Sequence, residues 1–311
     1  MFLLEVFTGT INCSTWNNVE IFKIMFHVEH YFFIYVKSIE ISLCSVYNII
    51  KAGEIMKTIA IANQKGGVGK TTTSVNLSAC LAEAGKKVLV IDSDPQGNTT
   101  SGLGIDKNSV ENSVYDVLIN GKKFTDVIVK TSWKNLDLCP SNIDLSGAEV
   151  ELVDKDKREY ILKEAIKELG EVYDFIIIDC PPSLTLLTVN AFTAANTVLI
   201  PIQCEYYALE GLAELTKTIK SVRMGLNPDL DIEGALLTMF DIRTNLSVDV
   251  VEQVKLVMPK KVFKTVIPRN VRLSEAPSFG VPVIYHDSSS TGAKCYRELA
   301  KEIIKNNKKR R

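Results

Sequence analysis

Asn63 to Thr72 read NQKGGVGKTT. A phosphate-cradling loop is usually written G-x-x-x-x-G-K-[ST]: the glycines let backbone amides approach an anion, and one lysine reaches its terminal oxygens. Gly69, Lys70 and Thr71 fit that pattern. Gln64, however, stands where the opening glycine is expected, and a second lysine, Lys65, follows it. The preceding stretch, KTIAIAN from Lys57, reads as a short apolar strand, and the following TTSVNLSACLAEAG reads as an amphipathic helix. Strand, glycine-rich turn and helix in that order aim several amides and a positive helix end at one point, as anion binding requires. A glycine-rich turn arising by chance has no reason to be flanked in this way.

Similar apolar runs recur along the chain. They are KKVLVID ending at Asp92, NLDLCP ending at Pro140, YDFIIIDC ending at Cys180 and NTVLIPI ending at Ile202, then IEGALLTMF, KVFKTVIP and VPVIY. Amphipathic stretches separate them, notably KREYILKEAIKELG, ALEGLAELTKTIKSVR and SVDVVEQVKLVM. Uniformly apolar strands alternating with helices predict an α/β fold, with a mostly parallel central sheet flanked by helices on both faces. Ligands in such folds bind at the carboxyl ends of the strands. Asp92 and Asp179 fall at such ends, and Asp94 lies two residues beyond the first. Either acid alone could cap a helix or close a turn; downstream of a phosphate loop, Asp179 is placed to support Mg²⁺.

Composition bounds the reading further. With 46% hydrophobic and 23% charged residues among 311, the chain is ordinary for a globular protein with a substantial core. Seven cysteines without a C-x-x-C pair, and only three histidines, argue against a disulfide scaffold or a cysteine–histidine metal site. The net charge of −1 hides an asymmetry. Residues 251–311 carry 14 Lys and Arg against 5 Asp and Glu, a net +9 that leaves −10 on the rest. A basic end raises the expectation of a polyanionic partner, although KNNKKRR could be only a solvated tail.

Residues 1–55 differ in character. FKIMFHVEHYFFIYVKSIEISL shows no clean strand or helix period. Lys23, His27, Glu29 and His30 interrupt it too often for a membrane-spanning helix, and it lacks the basic start and cleavage site of a signal peptide. His27 and His30 form an H-x-x-H pair with no third ligand in view. The expected organisation is an N-terminal extension over 1–55 and one domain over 56–311.

From Lys57 onward the sequence resembles the ParA partition ATPases of the chromosomal Soj type, within the deviant P-loop group that includes MinD. KGGVGKTT, DSDPQGNTTSGLG, IIIDCPPSL, PIQCEYYALEGL, LLTMFDIRTN and VIPRNVRLSEAPSFG carry the likeness, which spans about residues 57–305. The resemblance implies a single P-loop NTPase domain hydrolysing ATP with Mg²⁺. It implies that Gly66, Gly67, Val68, Gly69, Lys70, Thr71 and Thr72 cradle the phosphates, with Thr71 and Asp179 on the metal. Lys65 is implied to cross a dimer interface to the partner's ATP, which makes pairing depend on the nucleotide bound. Asp94 is implied to position the attacking water, and Pro268 and Asn270 to meet the adenine. Arg243 and Arg272 match positions through which the homodimer binds DNA; their ordinary alternatives are a helix-cap ion pair and a structural ion pair. A ParB-type centromere-binding protein is the implied partner, and a nucleoid-associated cytoplasmic location follows.

Two relatives of that group imply other roles. A MinD-like protein would bind membranes through a C-terminal amphipathic helix. Here Tyr296, Leu299, Ala300, Ile303 and Ile304 are spaced for packing, and no apolar residue follows them to enter a bilayer. A nitrogenase-reductase-like carrier would need cluster-binding cysteines, whereas Cys180 and the others read as core packing. The resemblance also bears on the extension. MFHVEH (Met25–His30) can be encoded by DNA containing TGTTTCACGTGGAACA, which resembles the centromere-like site of chromosomal partition systems, and KAGEIM can encode a ribosome-binding site before Met56. The expectation is that residues 1–55 are translated upstream DNA; the alternative is a genuine, poorly ordered extension.

Overall fold

The computed structural model describes residues 5–10, 20–25, 56–205 and 208–309. The chain divides into two units, Met1–Ile55 and Met56–Arg311. In the first, β1 (Glu5–Thr10) pairs antiparallel with β2 (Glu20–Met25), with Glu5 opposite Met25. The remainder of the reading made for 1–55, including His27 and His30, lies outside the described residues.

The second unit is built on seven strands. They are β3 (Lys57–Ile61), β4 (Val88–Asp92), β5 (Val129–Lys130), β6 (Leu136–Cys139), β7 (Phe175–Asp179), β8 (Thr197–Gln203) and β9 (Asp231–Thr238), in the spatial order β5-β6-β4-β7-β3-β8-β9. Only the β5–β6 pairing at one edge is antiparallel; the others are parallel. Successive side chains point to opposite faces, and both faces are covered, which is why the strands read as unbroken apolar runs. Ala60, Leu89, Ile91, Ile176 and Ile178 face one core. Ile59, Ile61, Val88, Val90 and Ile177 face the other.

Helices supply the covering layers. On the second face, α1 (Lys70–Glu83) is buried along nearly its whole length, from Thr73 to Ala82. Its sequence suggests an amphipathic helix, but the structure gives it almost no solvent face. The sheet takes one side of it, and the C-terminal helix takes another. A five-residue helix, α2 (Asn98–Gly102), follows β4. The first face is covered by α3 (Ile161–Leu169), α4 (Leu186–Ala194), α5 (Ala208–Gly225) and α6 (Asn245–Val257), which contribute Leu162, Leu187, Leu212 and Val254 to the core. Beyond them come α7 (Val271–Glu275), α8 (Val283–His286) and α9 (Thr291–Lys309). Tyr296, Leu299 and Ile303 of α9 are buried in the core that surrounds α1.

Two expected strands are not strands. KVFKTVIP makes only isolated bridges, Ala235 to Val262 and Phe240 to Pro268. It runs beside β9 as irregular chain, joined to it by scattered backbone bonds such as Phe263 amide to Ala235 carbonyl at 3.0 Å and Ile267 amide to Leu237 carbonyl at 2.9 Å. VPVIY is not extended either: Val283 opens the single helical turn α8, with Pro282 at its N-cap. There Val283 and Ile284 pack in the helix layer, and the Val283 amide donates to Oδ1 of Asn76 on α1 at 2.7 Å. An apolar run this short fits strand or buried helix equally well, and its position against α1 decides.

Candidate nucleotide-binding site

The strand order explains where the chemistry gathers. β4, β7 and β3 are adjacent and parallel, so Asp92, Asp179 and the loop after Ile61 emerge side by side. Asp92 and Asp179 are direct partners in the β4–β7 register. The loop itself needs its glycines. Gly67 and Gly69 hold φ of 73° and 91°, a left-handed backbone that glycine adopts without steric cost. A Cβ added at Gly66 or Gly67 would meet no atom within 4 Å, so the space beside these two exposed glycines is open, as the close approach of a phosphate chain to a loop requires. Asn63 anchors the loop start, donating from Nδ2 to the Pro201 carbonyl at 2.7 Å and accepting the Lys65 amide at 3.0 Å. Val68 is tied to the end of β9, its carbonyl accepting from the Thr238 hydroxyl at 2.8 Å.

Lys70, at the start of α1, is buried and donates from Nζ to the Lys65 carbonyl at 3.2 Å. Burial lowers its pKa, against the opposing pull of the Asp179 and Asp94 carboxylates. Thr71 donates to Oδ2 of Asp179 at 3.0 Å. The Asp179 carboxylate also accepts from Ser74 at 2.9 Å and Thr99 at 2.7 Å. It is fully buried, and desolvation pushes its pKa up even with those three hydroxyls holding it down. A hydroxyl and a carboxylate beside an anion cradle form the hard oxygen set that suits Mg²⁺. Asp94 lies on the adjoining loop, nearly buried, with Oδ1 accepting the Gln96 amide at 2.9 Å.

Lys65 is placed differently from Lys70. Its ammonium stands 3.8 Å from Oε2 of Glu205, just beyond β8. Oε1 of Glu205 accepts from Nη2 of Arg269 at 3.1 Å. Pro268 and Asn270 line a cavity of about 550 Å³ together with Gly69, Thr72, Thr238 and Tyr296, so the loop and the two expected base-site residues share one space. Arg243 and Arg272 stand outside this cluster, and each is held within the chain. The exposed Arg243 donates from Nε and Nη2 to the two Asp241 oxygens at 2.9 and 2.7 Å, a pairing that holds the half-buried Asp241 carboxyl down at about 2. Arg272 donates from Nη1 to Glu275 at 2.8 Å, and its Nε lies 3.3 Å from Asp287.

Several contributors escaped the sequence reading. Asp92 was legible as a strand end, but not its bonds. Thr99 and Thr100 sit inside the quoted DSDPQGNTTSGLG without any local sign that they face the two carboxylates. Glu205 lies in PIQCEYYALEGL with nothing nearby to name its partners. Cys80, Cys139, Cys180 and Cys204 are buried, and burial pushes the Cys180 thiol pKa up. Among the described residues no group of three or more His, Cys, Asp and Glu could hold a metal ion, and no helix is long and apolar enough to cross a membrane.

This chain is closely similar to several known proteins. The family profile described as AAA domain matches residues 56–232. The sporulation initiation inhibitor protein Soj of Bacillus subtilis (strain 168) is 60% identical over 250 residues, covering 80% of this chain and 99% of that protein. The chromosome partitioning protein ParA of Myxococcus xanthus (strain DK1622) is 53% identical over 249 residues, 80% of this chain and 88% of that one. Among solved structures, cobyrinic acid a,c-diamide synthase from Mycobacterium smegmatis with bound ADP and magnesium superposes with a TM-score of 0.73 at 40% identity, covering 83% of this chain and 97% of that chain. With the loop, the paired strand-end acids and this degree of identity together, the chain belongs to the Soj/ParA family of chromosome-partitioning ATPases.

Proposed function

We propose that this protein is a Mg²⁺-dependent ATPase that converts ATP and water to ADP and phosphate, and that it uses the nucleotide to switch its own pairing and DNA binding. The observation that carries the reading is the convergence of Lys70, Thr71, Asp94 and Asp179 from three adjacent strand ends around an open glycine loop. In this reading the amides of Gly66 to Thr72 and the Lys70 ammonium hold the phosphates. Thr71 and Asp179 hold Mg²⁺, which when bound neutralises charge that develops on the phosphate oxygens. Asp94 orients the attacking water, and Pro268 and Asn270 border the base. Lys65 reaches across to a nucleotide held by a second copy of the chain, so that the dimer closes on ATP and opens after hydrolysis.

The paired form then binds double-stranded DNA through Arg243 and Arg272, without base readout, in the cytoplasm and on the nucleoid. A ParB-type centromere-binding protein stimulates hydrolysis and thereby release. The net +9 of residues 251–311 favours a polyanion as the surface partner. The apolar face of α9 is spent on the core, with Tyr296 and Ile303 buried, which favours DNA over a bilayer as the surface recognised. Co-sedimentation with DNA in the presence of ATP, ADP or neither tests the whole reading: the protein should pellet with DNA only with ATP, and less as salt rises. Binding indifferent to nucleotide and salt would overturn it.

A further inference from the structure

We propose that Asp92 is a positioning residue for hydrolysis: one buried carboxylate stakes both ends of the loop that carries Asp94, and so fixes where Asp94 holds its water. This rests on the water-orienting role proposed for Asp94.

The geometry is specific. Asp92 is the last residue of β4 and is fully buried. Its Oδ1 accepts the Asp94 amide at 3.2 Å, at the point where the loop leaves the strand. Its Oδ2 accepts both the Thr100 amide at 2.8 Å and the Thr100 hydroxyl at 2.7 Å, in the first turn of α2, where the loop ends. The Thr100 hydroxyl in turn accepts the Ser141 amide at 2.9 Å, which ties the clamp to the chain beyond β6. Thr99, one residue earlier, donates to Asp179 at 2.7 Å. Successive threonines thus grip neighbouring strand-end acids, and the loop from Ser93 to Gly97 is pinned between the candidate metal ligand and its neighbour.

The loop has little room to shift between its stakes. Gly97 adopts a φ of 61°, and a Cβ there would stand 3.0 Å from the Ser141 carbonyl and 3.1 Å from the Lys107 side chain. Asp94 closes a local turn, its Oδ1 accepting the Gln96 amide and its carbonyl accepting the Gly97 amide, both at 2.9 Å. A carboxylate buried beside a second carboxylate is an expensive way to close a loop, because desolvation and like charge both oppose it. A hydroxyl or an amide would serve a merely structural turn. What a carboxylate adds is capacity: it accepts three donors at once, from both ends of one loop. Precision of that kind matters where a displacement of about 1 Å can cost about 100-fold in rate.

The test compares Asp92→Asn, Thr100→Val and Thr100→Ser with Asp94→Ala in the full chain, measuring kcat and KM for ATP, ADP affinity and ATP-dependent retention on DNA. Asp92→Asn should lower kcat by about tenfold or more while KM and ADP affinity stay within about twofold, and the protein should stay on DNA with ATP, as is also expected of Asp94→Ala. Thr100→Val, which keeps the amide bond but loses the hydroxyl, should show a smaller kcat loss of the same kind, and Thr100→Ser should restore the rate. Unchanged kcat in both Asp92→Asn and Thr100→Val, with Asp94→Ala inactive, would overturn this inference and leave the role of Asp94 standing. Parallel loss of kcat and nucleotide affinity in Thr100→Val would make the clamp a general support of the fold and also overturn it. Normal hydrolysis in Asp94→Ala would remove the reading on which the inference depends.

Discussion

The ammonium of Lys65 lies 3.8 Å from one oxygen of Glu205, while the other oxygen of the same carboxylate accepts from Arg269 at 3.1 Å. The lysine that distinguishes this loop therefore has a partner within its own chain, and that partner also holds Arg269, which lines the cavity shared with Gly69 and Asn270. Reaching a second subunit means giving that partner up. Both groups are partly exposed, so the pair is worth about 1 kcal/mol at most, and a dimer gives it up twice. Glu205→Gln should therefore lower the ATP concentration needed for pairing by severalfold. Analytical ultracentrifugation over an ATP series measures this, and an unchanged or higher requirement would show that Glu205 does not restrain Lys65.

The two lysines should separate under substitution. Lys70→Ala removes a buried cation from the cradle and should abolish binding of ATP and ADP alike. Lys65→Ala should leave ADP affinity near the unaltered value while abolishing ATP-dependent dimerisation. Calorimetric titration with each nucleotide, with light scattering for mass, distinguishes them. Equal loss of both nucleotides in Lys65→Ala would place Lys65 in its own subunit's site.

For DNA, Arg243→Ala and Arg272→Ala should each still dimerise with ATP. If the proposed DNA contacts exist, each substitution removes two of them from a dimer, so affinity should fall and the dependence of log K on log salt should flatten by about two units. Both arginines are ion-paired in this structure, so the competing possibility is a fold contribution alone. That would appear as a lowered melting temperature with an unchanged salt slope.

The tie between α1 and α9 gives a pH prediction. Arg297 donates to both oxygens of Glu83 at 2.7 and 2.8 Å, and those bonds hold the Glu83 pKa below the ordinary glutamate value. A carboxyl whose pKa is lower in the folded state stabilises the fold fully above its unfolded pKa, and that contribution fades as pH falls through the folded one. Glu83→Gln should therefore cost about 0.5–1 kcal/mol near neutral pH, and the difference should vanish in acid below the lowered value. Urea melts of both proteins across that range provide the check.

Residues 56–311 hold two cores, one on each face of a single sheet. A chain beginning at Met56 should match the full chain in melting temperature and ATPase rate. A large loss of either would assign residues 1–55 a part in the fold or the chemistry.

How much of this was legible beforehand depended on whether the physics was local. The loop at Asn63 to Thr72, the apolar strands with their terminal acids and the helices between them are fixed by spacing and composition over a few residues, because backbone conformation and burial on two faces impose them directly. Where the same signal served two structures it failed: VPVIY packs as a helical turn against α1, and KVFKTVIP runs beside β9 almost without a ladder. The strand order that sets β4, β7 and β3 side by side was beyond local reading, and with it the neighbouring acids Asp92 and Asp179. So were the grips of Thr99 and Thr100 on them, the meeting of Lys65 with Glu205 and Arg269, and the burial of α1 on nearly every side. Those contacts join residues far apart in the chain. They exist because close packing leaves each buried polar group only the partners that the fold brings to it.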